Sequence, residues 1–243
     1  MIPAINPRRL TRWLTHWRGK ILPLQCPVCH LSLATTSVGA TQALCCDACW
    51  DAHYQYHLCQ CCGLPVTDSQ ARCGACLSHP PAWDHLFAIS AYHDPLPQLV
   101  HAFKYQQAFE LALPFARQLS ERILHPAPVL LPVPLHWRRR WQRGFNQSVH
   151  LAWALADHLD TQVVDNVLVR HRHTAPQQGL SRQARLSNLK YAFAIRGELP
   201  SSHVAIVDDV VTTGQTVSQL CRLLRRAGAE TIDIYCLART DLP

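Results

Sequence analysis

From Leu86 to Ala238 short apolar runs alternate with longer stretches of helical period. LFAISAY (86–92), VLLPVP (129–134), VVDNVLV (163–169), HVAIVDD (203–209) and TIDIYCLA (231–238) have the length and branched-residue content of strands. Between them lie four helical patterns. One runs from about Pro97 to Leu124 with a break, and FNQSVHLAWALADHL (145–159) forms the second. SRQARLSNLKYAF (181–193) begins as a polar helix, and TVSQLCRLLRRAG (216–228) closes on Gly228. VLLP and VAIV are apolar without alternation, as in strands covered on both faces. Strand and helix taking turns predict an α/β domain with a mainly parallel sheet and helices on both faces, over 84–243.

Upstream of Pro80-Pro81 the periodicity gives way to cysteines. Of twelve in 243 residues, ten lie between Cys26 and Cys76. Four knuckles follow one another: Cys26/Cys29, Cys46/Cys49, Cys59/Cys62 and Cys73/Cys76. A CxxC turn places two thiolates on one side of a metal, and two such turns complete a tetrahedron. These residues predict two structural Zn2+ sites in a double zinc-ribbon module over 23–80. Knuckles are paired in sequence order, with first-to-third interleaving as the other arrangement. Cys45 and Cys61 are left over, either able to replace its neighbour. Gly63 and Gly74 suit tight turns. Residues 1–22 form a basic extension in which Leu10, Trp13, Leu14 and Trp17 share one helical face, suited to packing on the module, or to a membrane surface or partner protein.

Candidate chemistry gathers in IVDDVVTTGQT (206–216). In a parallel sheet ligands bind beyond the carboxyl ends of the strands. Here Val204–Val207 predict a strand, Asp208 and Asp209 its end, and residues 212–216 a turn into a helix. Amides of that turn, with the hydroxyls of Thr212, Thr213 and Thr216, suit a phosphate at a helix N-terminus, and Gly214 permits close approach. Two carboxylates beside a phosphate repel it but match sugar hydroxyls or a metal ion. A ribose 5-phosphate meets both demands. Lys104, Arg138 and Arg143 are candidates for neutralising a pyrophosphate, with Arg182, Arg185 and Lys190 on a loop (171–190) that closes over it.

Composition adds three things. A formal charge of +7 suits phosphates or nucleic acid. WRRRWQRGF interleaves Trp137 and Trp141 with Arg138, Arg139, Arg140 and Arg143, a pattern matching stacking and phosphate contacts to single-stranded nucleic acid. No apolar run approaches the ~20 residues of a spanning helix, and the basic start lacks a signal-peptide core, so a cytoplasmic protein is expected.

The stretch 206–216 resembles the phosphoribosyl pyrophosphate (PRPP) motif of type I phosphoribosyltransferases. With the cysteine knuckles, FKYQ (103–106), LPVPLHWRRRWQRGFNQS (131–148) and TAPQQGLSRQARLSNLKYAF (174–193), the chain resembles the ComF (GntX-type) family of competence and DNA-utilisation proteins. That resemblance implies a type I phosphoribosyltransferase-like fold. It puts Asp208 and Asp209 on the ribose hydroxyls, residues 212–216 (Thr212, Thr213, Gly214, Gln215, Thr216) around the 5-phosphate, Val210 and Val211 among the PRPP-binding residues, and Mg2+ with the pyrophosphate. Asp208, Asp209 and Arg185 are then the candidate catalytic residues. Single-stranded DNA and the DNA-uptake machinery are the implied partners. Two other roles stay open: a non-catalytic single-strand binder or PRPP sensor, and a nucleobase-salvage transferase, which the short segment after the motif disfavours.

Overall fold

A computed structural model describes residues 26, 28–31, 44–54, 57–67, 72–93, 95–135, 144–170 and 192–240. The amphipathic face around Trp13 lies outside them, as do Trp137, Arg138, Arg139, Arg140, Trp141, Arg143, Arg182, Arg185 and Lys190.

The centre is a five-stranded, all-parallel sheet of order β3-β9-β8-β4-β5, formed by β3 (His85–Ala91), β4 (Val129–Pro132), β5 (Gln162–Val163), β8 (His203–Val211) and β9 (Thr231–Arg239). Val204 to Val207 of β8 are fully buried, because β8 is the middle strand and both its faces are covered. On one face Ala205, Val207, Tyr235 and Leu237 pack under α3 (Leu96–Tyr105), α4 (Ala112–Ser120) and α5 (Gln147–Leu159). On the other, Val204, Ile206, Ile232 and Ile234 pack under α6 (Gln215–Arg226). The expected break in the first helical stretch falls between α3 and α4, at Gln107 with φ 55° and a single 3-10 turn.

Two expectations change. VVDNVLV is not one strand: Val163 ends β5 on the sheet edge, while Leu168–Arg170 forms β6, paired antiparallel with β7 (Phe193–Ile195). Asp165-Asn166 is a turn signal between two apolar runs, and each run finds a different partner. Phe193, the last residue of the stretch that begins as a polar helix, lies in a strand. β8 also runs on past the acids to Val211, because β9 continues beside it, Val210 opposite Ala238 and Val211 opposite Arg239.

The cysteine segment repeats one plan twice. Cys26 and Cys29 occupy a turn whose partners, Cys46 and Cys49, lie at the start of α1 (Asp47–Tyr54). Cys59 and Cys62 occupy the turn between β1 (His57–Leu58) and β2 (Pro65–Val66), with Cys73 and Cys76 at the start of α2 (Gly74–Ser78). The backbone bonds match: Cys26 N to Leu31 O and Cys59 N to Leu64 O, both 2.8 Å. In each turn the residue after the second cysteine is left-handed, His30 at φ 60° and Gly63 at φ 72°. His30 is exposed and can carry a side chain there, but a Cβ at Gly63 would stand 2.3 Å from Leu86 Cδ2. At Gly63 the second turn is pressed against Leu86 of β3. Gly74 has open space around it and no positive φ, so the turn does not require glycine there.

Candidate functional site

The eight knuckle cysteines gather as Cys26, Cys29, Cys46, Cys49 and as Cys59, Cys62, Cys73, Cys76, the sequential pairing. Within each group the sulfurs lie within 4.8 Å of one another. Cys29 Sγ to Cys46 Sγ and Cys62 Sγ to Cys73 Sγ are each 3.7 Å. A zinc–sulfur tetrahedron with bonds of about 2.3 Å has edges of about 3.8 Å, so both groups fit a metal ion. Cys46 N donates to Cys26 Sγ and Cys73 N to Cys59 Sγ, at 3.4 and 3.2 Å. Burial alone raises a thiol, but amide donors outweigh it and bring Cys26 down to about 6 and Cys59 to about 7. Thiolates at these positions are ready-made ligands. Cys45 and Cys61 are buried beside the two groups without joining them.

At the carboxyl end of β8 the two acids part company. Strand alternation sends Asp209 to the face of Ala205 and Val207, under α3 and α5. It is 5% exposed, and Lys104 Nζ of α3 lies 2.8 Å from its Oδ1. Gln147 Nε2 of α5 donates to its Oδ2 at 2.5 Å, and Val210 N to its Oδ1 at 2.6 Å. Lys104, a pyrophosphate candidate from the sequence, is thus engaged with Asp209. Asp208 is only partly buried and accepts from Asp209 N at 2.9 Å and Ser148 Oγ at 3.3 Å. Burial and the charge of Asp209 push its carboxyl up to about 7, against the opposing pull of Asp209 N–H, Lys104 and Ser148.

Gln147 and Ser148 escaped the sequence reading as site residues. Their signal is adjacency: Asn146 caps α5, its side chain accepting from Ser148 N at 3.1 Å and donating to Val133 O at 3.0 Å. The cap sets the start of α5 beside β4, and its first residues then reach the acids on β8.

After Val211, exposed Thr212 and Thr213 lead to Gly214, the N-cap of α6, at φ 72° and ψ 3°. Without a side chain Gly214 cannot cap the helix, so the amides of its first turn keep their donors for an outside acceptor. Gln215 N has only a long contact to Thr213 Oγ1, 3.5 Å. Gln215 Oε1 is buried and finds no donor among the described residues, an orphan acceptor at the same turn. Glycine at 214 answers a local crowding too. A Cβ there would stand 2.9 Å from Trp83 Cη2 on a backbone already left-handed.

The opposite end of the sheet carries a cavity of about 430 Å3, lined in part by Leu58, Phe87, Arg122 and His125. On its wall buried Asp233 is held between His85 Nδ1 at 3.0 Å and His203 Nε2 at 2.9 Å. None of the sequence-predicted site residues lies there.

Among known proteins, residues 146–241 match the family described as "Phosphoribosyl transferase domain". The "DNA utilization protein YhgH" of Shigella flexneri is 39% identical over 228 residues, 90% of this chain and 98% of that one. "Competence protein F" of Haemophilus influenzae is 36% identical over 205 residues, 80% of this chain and 90% of that one. The crystal structure of a purine phosphoribosyltransferase from Pyrococcus horikoshii overlaps 53% of this chain and 75% of that one, at 22% identity and a TM-score of 0.33. Among the described residues no helix is long and apolar enough to cross a membrane.

Proposed function

The chain belongs to the ComF family of competence and DNA-utilisation proteins, and on that premise we propose that residues 208–216 bind PRPP, or a related ribose 5-phosphate, for a role in taking up or using DNA. One observation carries the ligand reading. At the carboxyl edge of the parallel sheet, a partly exposed carboxylate (Asp208) stands at one end of a turn whose other end is a helix N-terminus left uncapped by Gly214. The uncapped amides suit the 5-phosphate, and the Asp208 carboxylate suits ribose hydroxyl donors. Asp209, neutralised by Lys104, holds the strand end in place and limits the negative charge a phosphate meets. Asp208, which among the described residues has no cation paired to it as Lys104 is to Asp209, would also be the carboxylate available to a Mg2+ ion carried by the pyrophosphate. Such an ion would need it only to supplement the phosphate oxygens. The two cysteine groups hold structural Zn2+, and their closed coordination assigns them no chemistry. Residues 84–243 act as the ligand-binding domain, and the protein works in the cytoplasm.

Calorimetric titration of PRPP with Mg2+ tests the reading. Zinc-loaded wild type is expected to bind, and Asp208→Asn/Asp209→Asn to lose at least a hundred-fold in affinity. Folded, zinc-loaded wild type that binds neither PRPP nor ribose 5-phosphate overturns it. Release of pyrophosphate in the presence of nucleobases or single-stranded DNA ends then separates a transferase from a PRPP sensor.

A further inference from the structure

The turn 212–216 does not rest on the sheet alone. Trp83, 7% exposed, lays its ring against Gly214 and donates from Nε1 to Cys61 O at 2.6 Å. Its neighbour Asp84 is tied to the sheet and to α6, accepting from Ile232 N at 2.7 Å and from Arg225 Nη2 at 2.6 Å. Arg239, 4% exposed at the end of β9, spans the same two regions. Its Nε donates to Cys62 O at 3.2 Å, and its Nη1 donates to Val211 O and Thr240 O, both at 3.0 Å. Leu86 N donates to Gln60 O at 2.8 Å, fastening the same cysteine turn to β3. Three successive carbonyls, those of residues 60, 61 and 62, thus anchor β3, Trp83 and Arg239. All three belong to the turn that presents Cys59 and Cys62. The Cys26 group packs elsewhere, with Leu44 and Cys45 in the cluster under α3 to α5.

We infer that the Cys59/Cys62/Cys73/Cys76 centre is the mount of the ligand turn: with metal bound, its Cys61 and Cys62 carbonyls hold Trp83 and Arg239, and these two positioning residues hold residues 211–216 in the ligand-ready shape. Without metal, the turn of Cys59 and Cys62 keeps the bond from Cys73 N to Cys59 Sγ but loses the four-sulfur tether to Cys73 and Cys76, and the carbonyl anchors drift. Among the described residues the Cys26 centre has no such line of contact to the turn. This coupling deepens the PRPP reading and rests on it for the ligand's identity, but the shape of the turn is measurable without any ligand.

The test is hydrogen–deuterium exchange on the full-length protein, comparing amides 212–217 with core amides of β9 such as Ile234. Relative to β9, Cys76→Ser is expected to speed exchange of the turn at least ten-fold and Cys29→Ser less than two-fold. Trp83→Phe keeps a ring on Gly214 but lacks the bond to Cys61 O. It is expected to retain two metals, stay folded and still speed the turn at least three-fold. PRPP affinity is expected to follow the same order, with Cys76→Ser weaker by ten-fold or more and Cys29→Ser within three-fold. Equal effects of the two cysteine variants on the turn overturn the inference. So does a Trp83→Phe turn indistinguishable from wild type, which also decides the matter if Cys76→Ser does not fold. If exchange follows the expected order while wild type binds no PRPP, the mount stands and only the ligand reading falls.

Discussion

Asp208 and Asp209 are neighbours of one residue type with opposite fates, set by which side of the strand each occupies. Asp209 has a cation and an amide donor waiting in the core, and both of its oxygens are engaged there. Asp208 carries the cost of that charge, and its folded pKa of about 7 stands above the 3.8 of the unfolded chain. The folded state therefore binds the extra proton between those values, and stability falls as pH rises from about 4 to about 7, then levels. Asp208→Asn removes the ionisation. Its gain over wild type in urea denaturation is expected to be absent near pH 4 and to reach about 1–3 kcal/mol at pH 8, discounted from ~1.36 kcal/mol per pKa unit because the carboxyl is partly exposed. An equal gain at both pH values would contradict the assignment. The adjacency of the acids was legible in the sequence, but their inequality was not, because Lys104 and Gln147 stand 105 and 62 positions before Asp209 and meet it only through packing.

At the scale of the element, the β8–turn–α6 unit was readable because each part obeys a local rule: an unbroken apolar run, small polar turn residues, then a 3.6-residue period. What local rules missed was where β8 stops and where VVDNVLV divides, since both depend on which strand lies alongside. The glycines make the same point. Gly74 and Gly214 look alike in sequence, but only Gly214 is left-handed and faces a tryptophan ring. Gly214→Ala is expected to cost about 2–4 kcal/mol from the left-handed backbone and overpacking, and to shift tryptophan fluorescence. Gly74→Ala is expected to be neutral or to stabilise by about 0.5–1 kcal/mol, as alanine does in a helix. Urea midpoints of the two variants check both, and a Gly214→Ala protein as stable as wild type would sink the packing argument.

Across the whole molecule, the cysteine segment is not a separate bead. Cys26, Leu44 and Cys45 share a cluster with Ile89, Leu130 and Val207, and the second group is pinned to β3, Trp83 and Arg239. Each structural zinc can contribute on the order of 10 kcal/mol to the fold around it. Metal analysis is expected to find two zinc ions per chain. Chelation is expected to lower the midpoint of a single thermal transition that includes the sheet. A separate low-temperature transition, with the sheet melting unchanged, would show that the module folds independently.

The sequence by itself determined the parallel α/β class, the eight knuckle cysteines spaced to hold metal and the strand that carries the two acids, because each follows from spacing within a few residues or from periodicity. Only the tertiary structure decided the sequential grouping of the knuckles, the separation of Asp208 from Asp209, and the line from the second cysteine turn through Trp83 and Arg239 to Gly214. Those are meetings between residues distant along the chain, such as Cys62 with Arg239. Which distant groups meet is decided by how the sheet orders its strands and which faces its helices cover.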